Sequence, residues 1–314
     1  MDRFLDNLTN QGKLDSEGRF TIGWEQAQRK LHHFQAGDPE AFLLLFISAG
    51  RAMGARNVSI EDNGDTLSVT MHECYISQED LRTGFMAISE GQGPPHLLDL
   101  AMGVHGGLRG RVTRVHLQVS HPQKPSFLWT LTKDRESCKP LSGNELPTLV
   151  SATFTSALVD RVQTRGFWNK FLNGYVGMNE PCRIVDKRCD FSDIPISINR
   201  QMANRPLHLP PCEIGCLVGT PKMVRMQCRR VLRTHYSDWK GALVLHPGNV
   251  VFVVNSISYP PVSHPKLSGA VWADLPRDLS RKRLLEKDPR YWTLWRELRE
   301  VAAKLNREAD SSDC

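Results

Sequence analysis

Four residues in the second half of the chain are of types that bind metal ions. Cys212 and Cys216 are separated by three residues, and His208 and Cys228 lie nearby in the sequence. Thiolates and imidazoles are the ligands of tetrahedral zinc sites, so this group could in principle bind zinc. The prolines just before Cys212 and the strand-like surroundings do not form a zinc knuckle, and the fourth ligand has to be chosen freely. We therefore expect buried structural thiols and no metal site, although metal binding by Cys212 and Cys216 stays open.

A second group of candidates is the basic segment 222–235, which reads as a β-strand. Arginines in such a segment can bind the phosphates of nucleic acid or the carboxylates of an acidic partner. The alternation of side chains along a strand sends only some of them to one face, so a solvated strand face is the favoured interpretation. The arginines of this patch are Arg225, Arg229, Arg230 and Arg233.

A third group of candidates consists of the glycines and basic residues at the end of the segment "GQGPPHLLDLAMGVHGGLRGR". Glycines at a helix end can bind phosphate, and His105, Arg109 and Arg111 could complete a degenerate anion or nucleotide cleft. The spacing fits no phosphate-binding loop, and the lysine and hydroxyl of such a loop are lacking. A closely packed helix that ends in glycines is the favoured interpretation.

The composition indicates a globular protein of the cytoplasm. The chain has 314 residues, a formal net charge of +6 from 40 basic and 34 acidic residues, and eight cysteines. The charge imbalance is too small to indicate nucleic-acid binding by itself. The scattered cysteines and the polar first residues predict reduced thiols and no signal peptide. Since a membrane-spanning helix needs about 20 apolar residues, no membrane contact is expected.

The order of helix and strand signals predicts two α+β domains, at residues 1–165 and 166–310. In the first, "DPEAFLLLFISAGRAMG" predicts a central buried helix, and "NVSIED" and "TLSVTMHE" predict a hairpin around Asn63 and Gly64. In the second, several strands precede an amphipathic helix, "DPRYWTLWRELREVAAKLN".

These elements resemble the first half of the GHKL fold, which is shared by gyrase B, the 90-kilodalton heat-shock chaperones, histidine kinases and MutL. The similar features are Gly54 and Ala55 at the helix exit, the hairpin, and Ile76 followed by Asp80 and Leu81. Downstream, "VDKRCDFSDIPISINRQ" and "WADLPRDLSRKRLLEK" resemble segments of bacterial chaperone-like members. The resemblance implies a two-layer α/β sandwich of the GHKL (Bergerat) type followed by a second, smaller α+β domain.

The resemblance also implies that the residues of ATP hydrolysis are lost. Aligned on Gly54 and Ala55, the general-base glutamate of the family falls on Leu45, its magnesium-binding asparagine on Ala49 and its helix aspartate on Ala52. Magnesium needs oxygen ligands that alanine does not offer, and leucine cannot orient an attacking water.

The second motif of the family is lost in the same way. Aligned on Ile76, its adenine-binding aspartate falls on Met71 and its two glycines on Glu73 and Tyr75. These positions, together with His105, would mark a degenerate nucleotide pocket.

The resulting expectation is a non-catalytic, chaperone-like pseudo-ATPase of bacterial type without a cofactor. It would act in the cytoplasm as a protein-interaction or scaffold component of a larger assembly, and its C-terminal helix could support a homodimer. Two alternatives stay open. One is a divergent ATPase that binds ATP and magnesium, with Glu73 or His72 in the lost roles. The other is a nucleic-acid-binding adaptor that uses the basic strand.

Overall fold

The computed structural model describes residues 13–14, 20–21, 41–64, 66–90, 93–108, 112–132, 135–142, 146–156, 180–221, 224–278 and 283–311. Contacts along the chain divide it into two units, one of Met1–Ala55 with Glu61–Pro181 and the other of Arg56–Ile60 with Cys182–Cys314. The predicted boundary between residues 165 and 166 lies outside the described residues and stays a prediction. So does the predicted helix in "GWEQAQRKLHHFQ".

The described residues of the first unit form three helices, α1 (Phe42–Ala52), α2 (Gln78–Glu90) and α3 (Pro95–Gly107). Helix α1 is apolar on nearly every side, and all of its residues from 42 to 50 are buried. Helix α2 starts at a side-chain cap, in which Ser77 Oγ accepts the Asp80 N–H at 3.0 Å and donates to the Asp80 carboxylate at 2.6 Å. Helix α1 packs against α3, and α3 packs against α2.

Antiparallel strands form the sheet of the first unit, in the order β4-β8-β5-β6-β7. Strand β5 shows the alternation of a half-buried strand, with Val115, Leu117 and Val119 fully buried between less buried neighbours. Two short strands, β1 and β2, pair with each other near the N-terminus. The bounds are β1 (Lys13–Leu14), β2 (Phe20–Thr21), β4 (Thr66–His72), β5 (Val112–Ser120), β6 (Ser126–Thr132), β7 (Glu136–Leu141) and β8 (Leu149–Ser156).

The predicted turn at Asn63 and Gly64 is present, but its geometry differs from the prediction. Strand β3 (Asn57–Asp62) ends four residues before Thr66, and the Asn63 N–H donates to the Thr66 carbonyl at 2.9 Å. An Asn-Gly pair predicts positive φ at both turn residues, but here Gly64 has a φ of 84° and Asn63 is not among the residues with positive φ. Two-residue turns with positive φ at both positions occur instead at Asn199–Arg200 and Asn255–Ser256. The short side chain of asparagine allowed them without the Asn-Gly pair that the sequence analysis relied on.

The second unit begins with helix α4 (Glu180–Arg188) and two short strands, β9 (Ile196–Ile198) and β10 (Gln201–Met202). Strand β9 pairs with β10 in antiparallel fashion and with β3 in parallel, Ile60 standing opposite Ile198. The buried Asn204 supports this segment, because its amide donates to the carbonyls of Ser192 at 3.0 Å and Ile194 at 2.8 Å.

A seven-stranded mixed sheet forms most of the second unit, in the order β14-β12-β15-β19-β16-β17, with β18 paired to β16. Parallel pairs join β12 to β14 and β16 to β19, and the other pairs are antiparallel. The bounds are β12 (Cys212–Val218), β14 (Cys228–Thr234), β15 (Trp239–Leu245), β16 (Gly248–Val254), β17 (Ile257–Ser258), β18 (Val262–His264) and β19 (Leu267–Ala273).

The C-terminal part contains a β-solenoid of about four turns. Its repeat is visible where strands β11 (Leu207–His208) and β12 stack in parallel on β13 (Val224–Arg225) and β14. Leu207 stands opposite Val224, and Cys212 stands opposite Cys228. The chain thus makes one complete turn between the two layers.

Helix α5 (Pro289–Asp310) follows the predicted amphipathic pattern. Its N-terminus is capped by Asp288, which accepts the Arg290 N–H, and Pro289 occupies the first turn, where no N–H is needed. The helix packs on β12 and β15. Its buried face consists of Tyr291, Leu294, Leu298, Val301, Ala302 and Leu305.

The predicted fold class, a two-layer α/β sandwich of the GHKL type with a second, smaller α+β domain, is wrong. The described residues form nineteen strands and five helices. The strands build large mixed sheets and a solenoid, so the protein is β-rich. The prediction failed because local periodicity places elements along the chain but does not specify which strands pair.

Protonation of the buried His264 is expected to destabilise the second unit at mildly acidic pH. Its Nδ1 accepts the backbone N–H groups of Lys266 at 3.1 Å and Leu267 at 3.0 Å, so a proton on Nδ1 would break both bonds. Burial and then the charge of Arg299 lower the pKa of His264 below its usual 6.5. As the pH falls, His264 of the unfolded chain therefore binds a proton at a higher pH than His264 of the folded protein. The contribution of this residue to the free energy of unfolding is fully present above pH 6.5 and is lost as the pH drops towards the lowered pKa.

The test compares urea unfolding of the wild type and His264→Asn between pH 7.5 and 5.5, with tryptophan fluorescence as the probe. The rings of His264 and Trp295 are stacked at 5.8 Å, so one of the seven tryptophans lies at the site. We expect the variant to lose less stability on acidification than the wild type. Equal losses in the two proteins would contradict the assignment.

Candidate functional site

Three of the predicted pocket residues lie in the apolar core of the first unit. Leu45 and Ala49 are buried in α1, and Leu45 packs with Leu98 and Met102 of α3. Met71 of β4 is fully buried and packs on α1, since a Cβ added to Gly50 would lie 2.9 Å from its sulfur. This packing brings α1 and β4 into direct contact at these positions.

The other predicted pocket residues are dispersed. Ala52 and Glu73 are exposed, and the Glu73 backbone N–H donates to the Thr148 carbonyl at 2.9 Å. Tyr75 donates to the Pro125 carbonyl at 3.1 Å and has Lys124 4.7 Å above its ring. His105 makes an edge contact with the ring of Phe85. These residues thus differ in burial and in the groups they contact, and their role as a degenerate nucleotide pocket stays a prediction.

A buried polar pair next to the predicted pocket was missed by the sequence analysis. Ser48 of α1 donates to the carboxylate of Asp99 of α3 at 2.6 Å, and both residues are buried. The signal was a polar residue within the apolar run of each helix. Because a buried polar group without a hydrogen bond is costly, the pair fixes how α1 and α3 face each other.

The arginines of the basic segment belong to strands β13 and β14, and the structure distributes them over two faces. Arg229 and Arg233 are exposed on one face of β14 together with Val231, which is 40% exposed. Arg230 is half-buried on the opposite face, and Arg225 is exposed on β13. Arg109 and Arg111, the other two predicted anion-binding residues, lie outside the described residues.

Strand β14 is the end strand of the seven-stranded sheet. Among the described strands it pairs with β12 alone, in parallel. The hydrogen-bonding groups along the outer edge of such a strand are available for another strand. Glu213 of β12 stands beside this edge, with its carboxylate 3.4 Å from the Arg229 guanidinium, and both side chains are largely exposed. The result is a sheet edge that carries arginines, one apolar side chain and one carboxylate.

The aromatic residue that follows the basic segment is not part of this surface. Trp239 is buried, its indole N–H donates to the Glu297 carboxylate at 2.8 Å, and its ring is stacked on that of Tyr236 at 5.0 Å. It anchors α5 to β15. A base of nucleic acid therefore has no access to this ring for stacking.

The candidate zinc ligands separate into a pair and two others. Cys212 and Cys228 stand opposite each other on β12 and β14. Cys216 is buried, and His208 is exposed on β11. Within the described part of the chain, no three His, Cys, Asp or Glu side chains lie together as metal ligands would.

Two part-buried hydrogen bonds join the region of α4 to the hairpin of β16 and β17. The Arg188 Nε donates to the Ser258 carbonyl of β17 at 2.6 Å, and its guanidinium lies 5.3 Å from the centre of the Tyr259 ring. Ser256, in the turn between the two strands, donates to Asp193 at 2.7 Å. These contacts could not be predicted from the sequence, because the bonded residues are 70 and 63 positions apart in the chain.

No protein-family model matches the chain, and a search of curated proteins finds no match. The predicted resemblance to the GHKL family is therefore wrong, since neither a family match nor the β-rich architecture supports it. The structure shows a β-rich protein of two units. The sheet of the second unit has an end strand that carries arginines. No described helix is both long and apolar enough to cross a membrane.

Proposed function

We propose that the protein is a non-catalytic interaction component of a larger cytoplasmic assembly, and that its β14 edge binds an extended acidic segment of a partner protein. The observation that carries this proposal is the position of β14 at the end of the seven-stranded sheet, with Arg229 and Arg233 exposed along it. Strand addition at such an edge supplies main-chain hydrogen bonds, and the side chains select the partner.

The charges of the edge favour an acidic partner. The side chain of Arg229 is 81% exposed, and its contact with Glu213 leaves it accessible to a second carboxylate. Arginine can bind a carboxylate through two parallel hydrogen bonds, which adds geometric selectivity to the attraction. Val231, between the two arginines, offers an apolar contact to the same strand.

Nucleic acid is the weaker candidate for this surface. The half-buried Arg230 faces away from Arg229 and Arg233, so only two arginines of β14 are exposed on one face. Trp239 is buried and cannot stack on a base. The ATPase alternative has no geometric support either, because Ala49 is buried in α1 whereas Glu73 is exposed.

The test uses a fluorescent peptide of alternating glutamate and valine in an anisotropy titration at low salt. The double variant Arg229→Glu/Arg233→Glu is expected to bind at least about tenfold more weakly, because attraction becomes repulsion at the edge. The matched control, Lys287→Glu/Arg296→Glu, makes the same change in net charge at two exposed residues of the second unit and is expected to bind normally. A backbone-methylated peptide should not bind, since it cannot pair with β14.

Three results would overturn the proposal. Equal weakening by both double variants would show a nonspecific charge effect. Binding of duplex DNA in place of the peptide, lost in Arg229→Glu/Arg233→Glu and steeply reduced by salt, would favour the nucleic-acid adaptor. Charged residues can also serve only to protect a sheet edge from unwanted pairing. If that is the role of these arginines, the wild type would bind neither the peptide nor the DNA.

The predicted homodimer stays a prediction. Helix α5 buries one face in its own unit, but Trp292 on this helix is 57% exposed. Light scattering at high protein concentration measures the oligomeric state directly, and a monomer at every concentration would contradict the dimer.

A further inference from the structure

The two cysteines at the start of β12 and β14 stand directly opposite each other. Cys212 and Cys228 are partners in the parallel register of these strands, and the Cys212 backbone N–H donates to the carbonyl of Gln227 at 3.2 Å. Neighbouring strands lie about 4.7–4.9 Å apart, which is within the range of Cα separations of about 4.4–6.8 Å that disulfides span. The separation expected between the two backbones is therefore compatible with a disulfide.

The two side chains also lie on the same side of the sheet. Both pack against one apolar cluster, which contains Leu207 and Ala242. The sulfur of Cys228 projects over β12, because a Cβ added to Gly215 would lie 2.9 Å from it. A hydrogen bond connects the two thiols and, after burial, is the next cause that raises the pKa of Cys228, to about 12. Both cysteines are partly accessible to solvent and neither is bonded to another cysteine.

We propose that Cys212 and Cys228 form an intramolecular disulfide when the protein meets a peroxide. The Cys212 sulfur attacks one peroxide oxygen, the O–O bond breaks, and the other oxygen leaves as hydroxide and takes the thiol proton to become water, so that Cys212 becomes a sulfenic acid. The Cys228 sulfur then attacks the Cys212 sulfur, the S–S bond forms, the S–O bond breaks, and the hydroxyl group leaves with the Cys228 proton as a second water. Two thiols lose two electrons and two protons in total, and the peroxide is reduced by two electrons. Cellular thiols such as glutathione reverse the reaction by exchange.

The order of attack does not change the product, because either sulfur can form the sulfenic acid and the other sulfur then displaces water from it. Burial raises the pKa of Cys228 and slows the reaction of this thiol, since the thiolate is the reactive form. Two other cysteines of the described strands stand opposite residues of other types. Cys216 stands opposite Leu232 and Leu243, and Cys138 stands opposite Trp129 on β6.

The disulfide would link the edge strand β14 to β12 at one end. It closes a loop between residues 212 and 228 and limits how far β14 can separate from the sheet. This inference stands apart from the proposed function, because the bond is detected chemically whether or not β14 binds a peptide.

The test is peptide mapping of the full chain after treatment with hydrogen peroxide. Free thiols are alkylated under denaturing conditions, and the protein is digested with trypsin and a glutamate-specific protease. Cleavage after Glu213 separates Cys212 from Cys216, and cleavage after Arg225 separates both from Cys228. We expect a linked pair of peptides that contain Cys212 and Cys228, together with an intact mass about 2 Da lower, because two hydrogen atoms leave.

Variants provide the matched controls. Cys212→Ser and Cys228→Ser are expected to lose the linked peptides, whereas Cys216→Ser and Cys138→Ser are expected to keep them. A link from Cys228 to Cys216 would overturn the assignment. So would complete alkylation of Cys212 and Cys228 after oxidation, or their recovery as separate sulfinic acids. The wild-type digest alone decides between these outcomes if a variant fails to fold.

Discussion

Replacement of Phe154 by alanine is expected to lower the free energy of unfolding of the first unit by about 3–5 kcal/mol, the usual cost of a buried phenylalanine. The side chain is 2% exposed on β8. Its ring makes edge contacts with Phe42 at 4.9 Å and Phe46 at 5.7 Å, both on α1. The loss of the ring leaves a cavity where the helices meet the sheet.

A second substitution makes this prediction specific to the packing around Phe154. Gly107, in the last turn of α3, lies so close that an added Cβ would overlap the Phe154 ring. Alanine is otherwise about 1 kcal/mol better than glycine inside a helix. Gly107→Ala should therefore destabilise the wild type and cost much less, or even stabilise, in the Phe154→Ala background.

Urea unfolding of the four proteins measures this coupling as a double-mutant cycle. We expect the two substitutions to be strongly non-additive. Phe154→Ala removes the ring that the new methyl group of Gly107→Ala would overlap, and this methyl group fills part of the cavity that the ring leaves. Additive effects would contradict the contact between Gly107 and Phe154. A loss of less than about 1 kcal/mol for Phe154→Ala would show that the ring is not in the core.

Replacement of Gly269 by alanine is expected to destabilise the second unit by at least about 3 kcal/mol, from backbone strain and overpacking together. Gly269 lies in β19, the strand between β15 and β16. Its φ of 151° is one that side-chain-bearing residues rarely adopt. An added Cβ would also meet the Ala242 carbonyl oxygen. That oxygen belongs to the neighbouring strand, so it cannot move without breaking sheet hydrogen bonds.

Gly54→Ala is the matched control for this prediction. Gly54 also has a positive φ, of 83°, but an added Cβ would meet nothing within 4 Å. Its cost should be limited to backbone strain, about 1–2 kcal/mol. Thermal or urea unfolding of both variants measures the difference. Equal costs for Gly54→Ala and Gly269→Ala would show that the crowding at Gly269 is unimportant.

The proposed interaction surface depends on where β14 lies in its sheet. The same arginines on a central strand would be flanked by two neighbours, and no main-chain groups would be available for a partner. The proposed disulfide depends on the same strand, because the parallel pairing with β12 brings Cys228 to Cys212. Both proposals therefore follow from strand order and not from residue type alone.

Several elements could be predicted from the sequence with their correct identity. The helix α5 follows from apolar residues at helical spacing and from the start signal at Asp288 and Pro289. Helix α1 follows from an uninterrupted apolar run, and β5 from strict alternation. These signals are local, so neighbouring residues are sufficient to carry them.

The roles of individual residues were harder to predict from the sequence than the helices and strands. Leu45, Ala49 and Met71 were predicted on an alignment to a family that the structure does not support. Their actual surroundings are the apolar contacts between α1, α3 and β4. The basic segment is visible in the sequence. Only the structure shows that Arg230 is separated from Arg229 and Arg233 and that Glu213 lies beside Arg229.

The sequence by itself determined the apolar faces, most of the longer strands and the start of helix α5. Only the tertiary structure decided that β12 pairs in parallel with β14, that β14 ends the sheet, and that Cys212 meets Cys228. The physical reason is that every strand presents similar backbone groups and the same alternation of side chains, so many pairings satisfy the local pattern. The choice among them depends on how the whole set of strands packs its apolar side chains, which no short segment specifies.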